Sequence, residues 1–258
     1  MKLFDAITQR RSYRRQFRDE PIVQADLDKL LEAARWAPSP FNVQPWEFLV
    51  IQKDSGKATL ADVTAQCISE QFKDPRFLDD NSRWMRLTDE AWQNSGDGVL
   101  LADHVDLPPV FLRHPERLKP LLKNAKHLAL LGHLGAGRKP AKEIAELVRT
   151  SPLLILALMN CKQRPPGEGA SRWMWLGMGA AIQNMLLAAT ALGIGTQFVS
   201  APLERQSDRE RIRKRFNIPD FYEVVSLLRL GYLDSDAGRS VRRPPSAFVR
   251  YEEFDPEQ

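Results

Sequence analysis

"WMWLGMGAAIQNMLLAATALGIG", residues 173–195, runs for 23 positions without a charged side chain. Its length alone would let a helix cross a membrane. Against that, Gln183 and Asn184 stand at its centre, strand-like runs flank it closely, and no second hydrophobic span accompanies it. A helix that is apolar all round is buried, in lipid or in protein. The small residues of this one allow close contact with neighbouring elements, which points to protein. Where one domain cannot cover every face, a second subunit can.

The surroundings support a packed domain. "PLLILALMN", 152–160, is a continuous apolar run of strand length, as in a sheet covered on both faces. "TQFVSAP", 196–202, reads as a short strand and "EVVSLLRLGYL", 223–233, as another buried one. Between them, 205–216 form a charged helix anchored by Ile212 and Phe216 and ending before Pro219. Towards the N-terminus, "DLDKLLEAARW", 26–36, sets Leu27, Leu30, Leu31 and Ala34 on one helical face and stops before Pro38. "WEFLVIQ", 46–52, is a strand, and 61–72 and a stretch around 140–149 are helices. Helices alternate with strands, so the class is α+β or α/β with a single sheet. Residues 74–126, polar and proline-containing with Trp84, Trp92 and "VDLPPVFLRHP", read as irregular structure with short helices. Such a stretch in a compact domain is usually functional or mobile.

The bulk numbers narrow the chemistry. With 258 residues, 43% apolar and 27% charged, the chain is an ordered globular protein. Cys67 and Cys161, far apart, exclude a disulfide scaffold and fit a reducing cytoplasm. The start, "MKLFDAITQRRSYRR", has no apolar secretory core. His104, His114, His127 and His133 lack metal-ligand spacing, and neither cysteine has an activating neighbour. No GxSxG elbow or Walker sequence occurs, and "GHLGAG", 132–137, has its glycines in the wrong order for a dinucleotide loop. An enzyme built this way borrows its reactive group from a cofactor.

Arginine is distributed unevenly. "QRRSYRRQFR", 9–18, packs five arginines around one serine and two aromatic residues, "GRSVRRPP" follows at 238–245, and "SDRERIRKRF", 207–216, has acids interleaved. With a net charge of +4 the chain suits a nucleic-acid binder or an enzyme with an anionic ligand. Tyr13 and Phe17, at i and i+4, serve either base stacking or core packing. "RRSYR" offers guanidinium forks, a hydroxyl and backbone N–H groups for one phosphate. About twenty residues later comes "APSPFNVQPW", 37–46, whose prolines are expected to hold the backbone extended beside Ser39, Asn42 and Gln44.

This pair of segments resembles the N-terminus of the nitroreductase family of flavoenzymes. The matching residues are Arg10, Arg11, Ser12 and Arg14, then Pro38, Ser39, Asn42, Gln44, Pro45 and Trp46. The resemblance continues in "GMGAAIQNMLLAATALGIGTQFVSAP", "LGYLD" and the basic "RRPP", covering roughly 4–60 and 150–250. It implies an α+β fold with a single mixed sheet flanked by helices, a long central helix at a homodimer interface, and bound FMN. Arg10, Arg11 and Ser12 would then hold the phosphate end of FMN, with Arg242 and Arg243 completing that site. Arg14 would face the pyrimidine edge of the flavin, and backbone groups of Ser200 and Ala201 its hydride-accepting nitrogen. Pro38, Ser39 and Asn42 would reach the flavin bound mainly by the other subunit, with Gln44 in the same element.

The implied reaction is ping-pong transfer of hydride from NADH or NADPH to a small aromatic acceptor, a nitroaromatic or quinone. It needs no metal, membrane or nucleic acid, and no acid or base from the protein. Residues 66–150 match no family motif, and the insert at about 74–126 is expected to line the substrate side, with Trp84, Trp92 or both as a lid or, alternatively, as anchors of the insert to the core. A specialised branch (an oxidase, a dehalogenase or a flavin-consuming synthase) would use the same cradle. A basic nucleic-acid-binding protein is the rival from another class.

Overall fold

A computed structural model of the chain describes residues 1–103, 113–114 and 124–253. Its described helices are α1 (Leu3–Gln9), α2 (Gln24–Arg35), α3 (Asp54–Gln71), α4 (Pro75–Arg83), α5 (Asp89–Ser95), α6 (Ala125–His133), α7 (Arg138–Arg149), α8 (Ala170–Ala191) and α9 (Gln206–Phe216). The strands are β1 (Trp46–Ile51), β2 (Met85–Arg86), β3 (Val99–Leu100), β4 (Leu153–Asn160), β5 (Ile194–Phe198) and β6 (Tyr222–Tyr232). They form two compact units, one of residues 1–68 and 141–238, the other of the described residues in 69–140 with 239–253.

In the first unit a four-stranded sheet has the order β1-β4-β6-β5. Alternation along β4 explains its apolar run. Leu153, Ile155, Ala157 and Met159 pack with α2 and α8, while Leu154, Leu156 and Leu158 pack with α3, α7 and α9. Both faces are covered, so neither can be polar. The α+β class expected from the sequence is what forms, but every pairing in this sheet is antiparallel. The α8 connection returns β5 in the direction of β4, and β6 then inserts antiparallel between them. Among the described residues, parallel pairing is confined to a lone Ser12–Thr196 bridge and the short β2–β3 pair of the second unit.

The 23-residue uncharged stretch forms most of α8. Met174, Gly177, Met178, Ala181, Met185 and Ala189 make its buried stripe, and the Asn184 side chain donates to the Ala33 carbonyl of α2 (3.1 Å). Trp173, Trp175 and Leu176 stay exposed. Among the described residues, no helix is long and apolar enough to cross a membrane.

The aromatic residues of "QRRSYRRQFR" are core. Gly195 and Gly231 are direct cross-strand partners on β5 and β6. A Cβ on Gly231 would lie 2.5 Å from Phe17 Cγ, and one on Gly195 would lie 2.8 Å from Phe17 Cε1. The two glycines thus leave a slot that the Phe17 ring fills, with Tyr13 stacked on it at 5.2 Å between centroids. Over Phe17, at 4.6 Å, sits the buried guanidinium of Arg229, which donates to Ser151 Oγ (2.9 Å), Gln197 Oε1 (2.6 Å) and the Arg15 carbonyl (3.2 Å). Burial pushes its pKa down to about 10, which still leaves it charged at neutral pH. Hydrogen bonds and a π-face substitute for the water it has lost.

The second unit is more regular than its composition suggests. Asp74 caps α4 by accepting from Arg76 N (2.8 Å), and Thr88 Oγ1 caps α5 by accepting from Ala91 N (3.2 Å). Trp92 is buried and donates through Nε1 to the Gly98 carbonyl (3.2 Å). Arg239 lies 5.5 Å above that ring and pairs with Asp89 at 2.7 Å. Trp92 is therefore an anchor within its own unit, and Trp84 is exposed. "GHLGAG" serves packing, since a Cβ on Gly132 would fall 1.9 Å from the Phe72 carbonyl oxygen. Of "VDLPPVFLRHP", only Arg113 and His114 fall among the described residues, and His104 lies outside them.

The glycine slot makes a quantitative demand. Gly231→Ala forces a methyl against Phe17 atoms close to the backbone and lowers unfolding free energy by about 1–3 kcal/mol, read from urea denaturation. An unchanged midpoint and slope would mean that Phe17 moves aside freely.

Candidate functional site

The basic N-terminal segment is fixed at both ends. α1 closes with the Arg10 N–H on the Ala6 carbonyl (3.0 Å), and the Tyr13 N–H donates to the Thr196 carbonyl of β5 (2.8 Å). Between them, Arg11 Nη1 donates to the carbonyls of Thr8 (2.6 Å) and Arg10 (2.9 Å), while its Nε is buried without a partner among the described residues. Arg14 is exposed as a residue, yet loss of water around its guanidinium lowers its pKa. Neither Arg11 nor Arg14 meets a carboxylate among the described residues, whereas Arg35, Arg149 and Arg205 each hold one within 2.9 Å. Arg10, Arg11, Ser12 and Arg14 therefore form one electropositive stretch along the edge of β5. Arg15 donates to Ser235 Oγ (3.3 Å) and is exposed, as is Arg18.

The proline-containing loop behaves differently from the expectation of an extended chain. Ser39, before Pro40, is extended (φ −142°, ψ 150°), as the proline requires. Beyond it the backbone coils. Phe41, Asn42 and Gln44 take left-handed φ values of 50°, 52° and 46°, a conformation costly for residues with a Cβ. Hydrogen bonds stabilise the coil. Ser39 Oγ accepts from Gln44 N (3.0 Å), Asn42 N donates to the Ser39 carbonyl (3.1 Å), and Val43 N to the Pro40 carbonyl (3.1 Å). Gly177 of α8 lets the loop approach, since its absent Cβ would sit 3.4 Å from both the Pro38 carbonyl oxygen and Ser39 Cβ. Pro38, Asn42 and Gln44 remain exposed. Left-handed backbone at Phe41, Asn42 and Gln44 makes this exposed loop a candidate functional element.

After β5, Ser200 stands at the N-cap of a 3₁₀ turn, Ala201–Leu203, in which Pro202 has no N–H and the Leu203 N–H donates to the Ser200 carbonyl (2.8 Å). Ser200 also borders a cavity of ≈ 360 Å³ walled by Trp175, Phe198 and Val225. Arg242 and Arg243 belong to the second unit. Arg242 donates to Ser240 Oγ and to the Val241 carbonyl (2.6 Å), and the positive charge of Arg243 helps hold Asp97 below the usual carboxylate range, behind the larger effect of Arg86. Sequence reading gave no role to Arg229, a lone arginine inside an apolar strand, or to Ser226 beside it in the same run. Their only sequence signal was polarity at positions otherwise reserved for the core.

Comparison with known proteins locates the fold. The model of the Nitroreductase family matches residues 7–232. A 4-nitrobenzoate reductase of Pseudomonas putida is 23% identical, across 98% of this chain and 96% of that one. An NADH dehydrogenase of Thermus thermophilus is 26% identical, across 93% and 90%. Among solved structures, iodotyrosine deiodinase bound to FMN and 3-iodo-L-tyrosine superposes with a TM-score of 0.59 at 21% identity, covering 98% of this chain and all of that one.

No group of three or more His, Cys, Asp or Glu among the described residues is placed to hold a metal ion. Cys67 is buried, and burial, helped by the charge of Asp208, pushes its thiol up to about 11. It stays protonated and a poor nucleophile at neutral pH. A thiol titration of the native protein should therefore count one reactive cysteine, the exposed Cys161, and a second only after denaturation. Rapid labelling of both in the native state would contradict this.

Proposed function

The chain belongs to the nitroreductase family, and we propose that it is an FMN-dependent oxidoreductase that takes hydride from NADH or NADPH and reduces an electron-poor aromatic acceptor. The observation that carries this reading is the electropositive stretch on β5, where Arg11 keeps a buried, unpartnered Nε and Arg14 has no carboxylate among the described residues. A stretch so arranged fits a small phosphorylated ligand better than a polymer. Tyr13 and Phe17, which a nucleic-acid reading would use for stacking, are buried.

When bound, FMN would supply a ring that accepts hydride and gives it up again. The rest falls to the protein. Arg10, Arg11 and Ser12 hold the phosphate end through charge-assisted bonds, worth about 1.5–3 kcal/mol each. Arg14 places a fixed positive charge beside the ring and so favours the state with extra negative charge. Ser200 and Ala201 offer backbone N–H groups. The coiled loop of Pro38, Ser39, Asn42 and Gln44 reaches the cofactor of a second subunit. The assignment of Arg242 and Arg243 to the same phosphate rests on the family pattern alone.

A homodimer accounts for the apolar surface of the first unit. Trp173, Trp175 and Leu176 of α8 are exposed together with Leu3, Phe4 and Ile7 of α1, which packs beside α8. A closed two-fold assembly is the commonest way to cover such a face. The free cysteines suit a reducing cytoplasm.

Denaturing the purified yellow protein and separating its flavin should give FMN; FAD, or no flavin, would defeat the proposal. Arg10→Ala should weaken FMN about ten- to a hundredfold. Arg14→Ala should keep much of the affinity while moving the flavin potential downward. Light scattering should report twice the 29.4 kDa chain mass. If Arg242→Ala binds FMN as tightly as wild type, the tail takes no part.

A further inference from the structure

We propose that Asp208 and Arg209 are positioning residues for hydride transfer: from the first turn of α9 they fix the backbone of Ser200 and Ala201, acting through that segment rather than on the cofactor. This rests on the function proposed above, in which Ser200 and Ala201 face the flavin.

Packing alone holds this segment loosely. The chain leaves the sheet after Val199, whose N–H still donates to the Leu227 carbonyl (2.8 Å). From there a cavity of ≈ 360 Å³ borders Val199, Ser200 and Leu203, and side chains that line empty space lose contacts on that side. Of the turn Ala201–Leu203, only Pro202 is buried.

Two polar tethers supply what packing does not. Arg209 Nη1 donates to the carbonyls of Leu203 (2.5 Å) and Glu204 (3.2 Å), where the turn ends. The amides of Asp208 and Arg209 both donate to the Arg205 carbonyl (3.1 Å each). The Asp208 carboxylate accepts Arg205 Nε (2.6 Å) and Nη2 (3.1 Å), a parallel fork that fixes orientation as well as distance. An acid that served only the start of α9 could stay in water, where the helix dipole still favours it. Asp208 is instead 1% exposed, and burial of a carboxylate is tolerated only where its partner is well placed.

α9 is a firm anchor for both tethers. Ile212 is fully buried in the core, Arg211 donates to Gln66 Oε1, and Arg215 donates to Thr59 Oγ1 (3.2 Å) and Ser55 Oγ (3.3 Å), all three acceptors on α3. Restraint thus passes from α3 through α9 to the turn. Group transfer is sensitive to such restraint, since a misplacement of about 1 Å can slow it a hundredfold. Loss of either tether therefore acts on the rate, while the phosphate end of the cofactor, held by another segment, stays bound.

Asp208→Asn, Arg209→Met, their double variant and Arg209→Lys test this in the FMN-loaded protein. Amide hydrogen exchange across 199–205 should run about two- to tenfold faster in Asp208→Asn and Arg209→Met, the worth of one hydrogen bond. Reduction of the flavin by saturating NADH or NADPH, followed by stopped flow, should slow about ten- to a hundredfold, with FMN affinity kept within about twofold. The double variant should lose little more than either single one, because both tethers act on one turn. Arg209→Lys, which keeps the charge and a donor, should recover most of the rate. Unchanged reduction rates, slower reduction with unchanged exchange, or a loss of FMN affinity as large as the loss of rate each overturn the proposal. If Asp208→Asn does not fold, the two Arg209 variants decide alone by the same readings. A wild-type protein without flavin would defeat the earlier function, and exchange across 199–205 in that flavin-free chain would still decide whether Asp208 and Arg209 hold the turn.

Discussion

The ring of Phe17 lies where two adjacent strands have no side chains, and a buried guanidinium closes over it. Much of the candidate site depends on that contact. Segment 10–18 has too little apolar surface to fold by itself, and its charges would keep it solvated. Phe17 in the slot of Gly195 and Gly231, with Tyr13 stacked on it, holds the segment against β5 and β6. Arg229 then ties Phe17, Gln197, Ser151 and the Arg15 carbonyl into one buried group. Arginines that would otherwise move freely are presented from a rigid edge. Preorganisation of this kind lowers the entropy lost when a ligand is captured.

α8 works on two sides of the same problem. Its stripe of methionines, alanines and glycine closes the core over one face of the sheet, and Gly177 makes room for the strained loop at Ser39. Its tryptophans stay outside. The helix thus links the sheet that carries the basic segment, the loop that offers polar groups and the apolar face that a second subunit would cover.

Much of this was legible in the sequence. The leucine spacing of α2 shows a helical period, and the uncharged run of α8 and the apolar runs of β4 and β6 each have a length that one structure satisfies. α1 was not foreseen, because a seven-residue helix with Leu3, Phe4 and Ile7 exposed carries little burial signal. The helices of the second unit were announced by Asp74–Pro75 and Thr88–Asp89, which are starting signals hidden among prolines and polar residues. The slot was illegible for a different reason. Gly195 and Gly231 mean nothing separately; only strand register makes them neighbours. The placing of Ser226, whose hydroxyl has no partner among the described residues, depends on a bulge, which no periodicity reveals.

The slot also sets an order of events. Phe17 precedes the strands that receive it, and its place does not exist until β5 and β6 have paired, more than two hundred residues later. Closing a contact over that span is slow compared with forming local helices. The amide of Tyr13, bonded to Thr196, should gain protection in pulse-labelled refolding no earlier than Leu230 does; earlier protection would show that the segment docks on something else. The arginine-bearing segment is thus made well before the strands that hold it, and it docks only once they have paired.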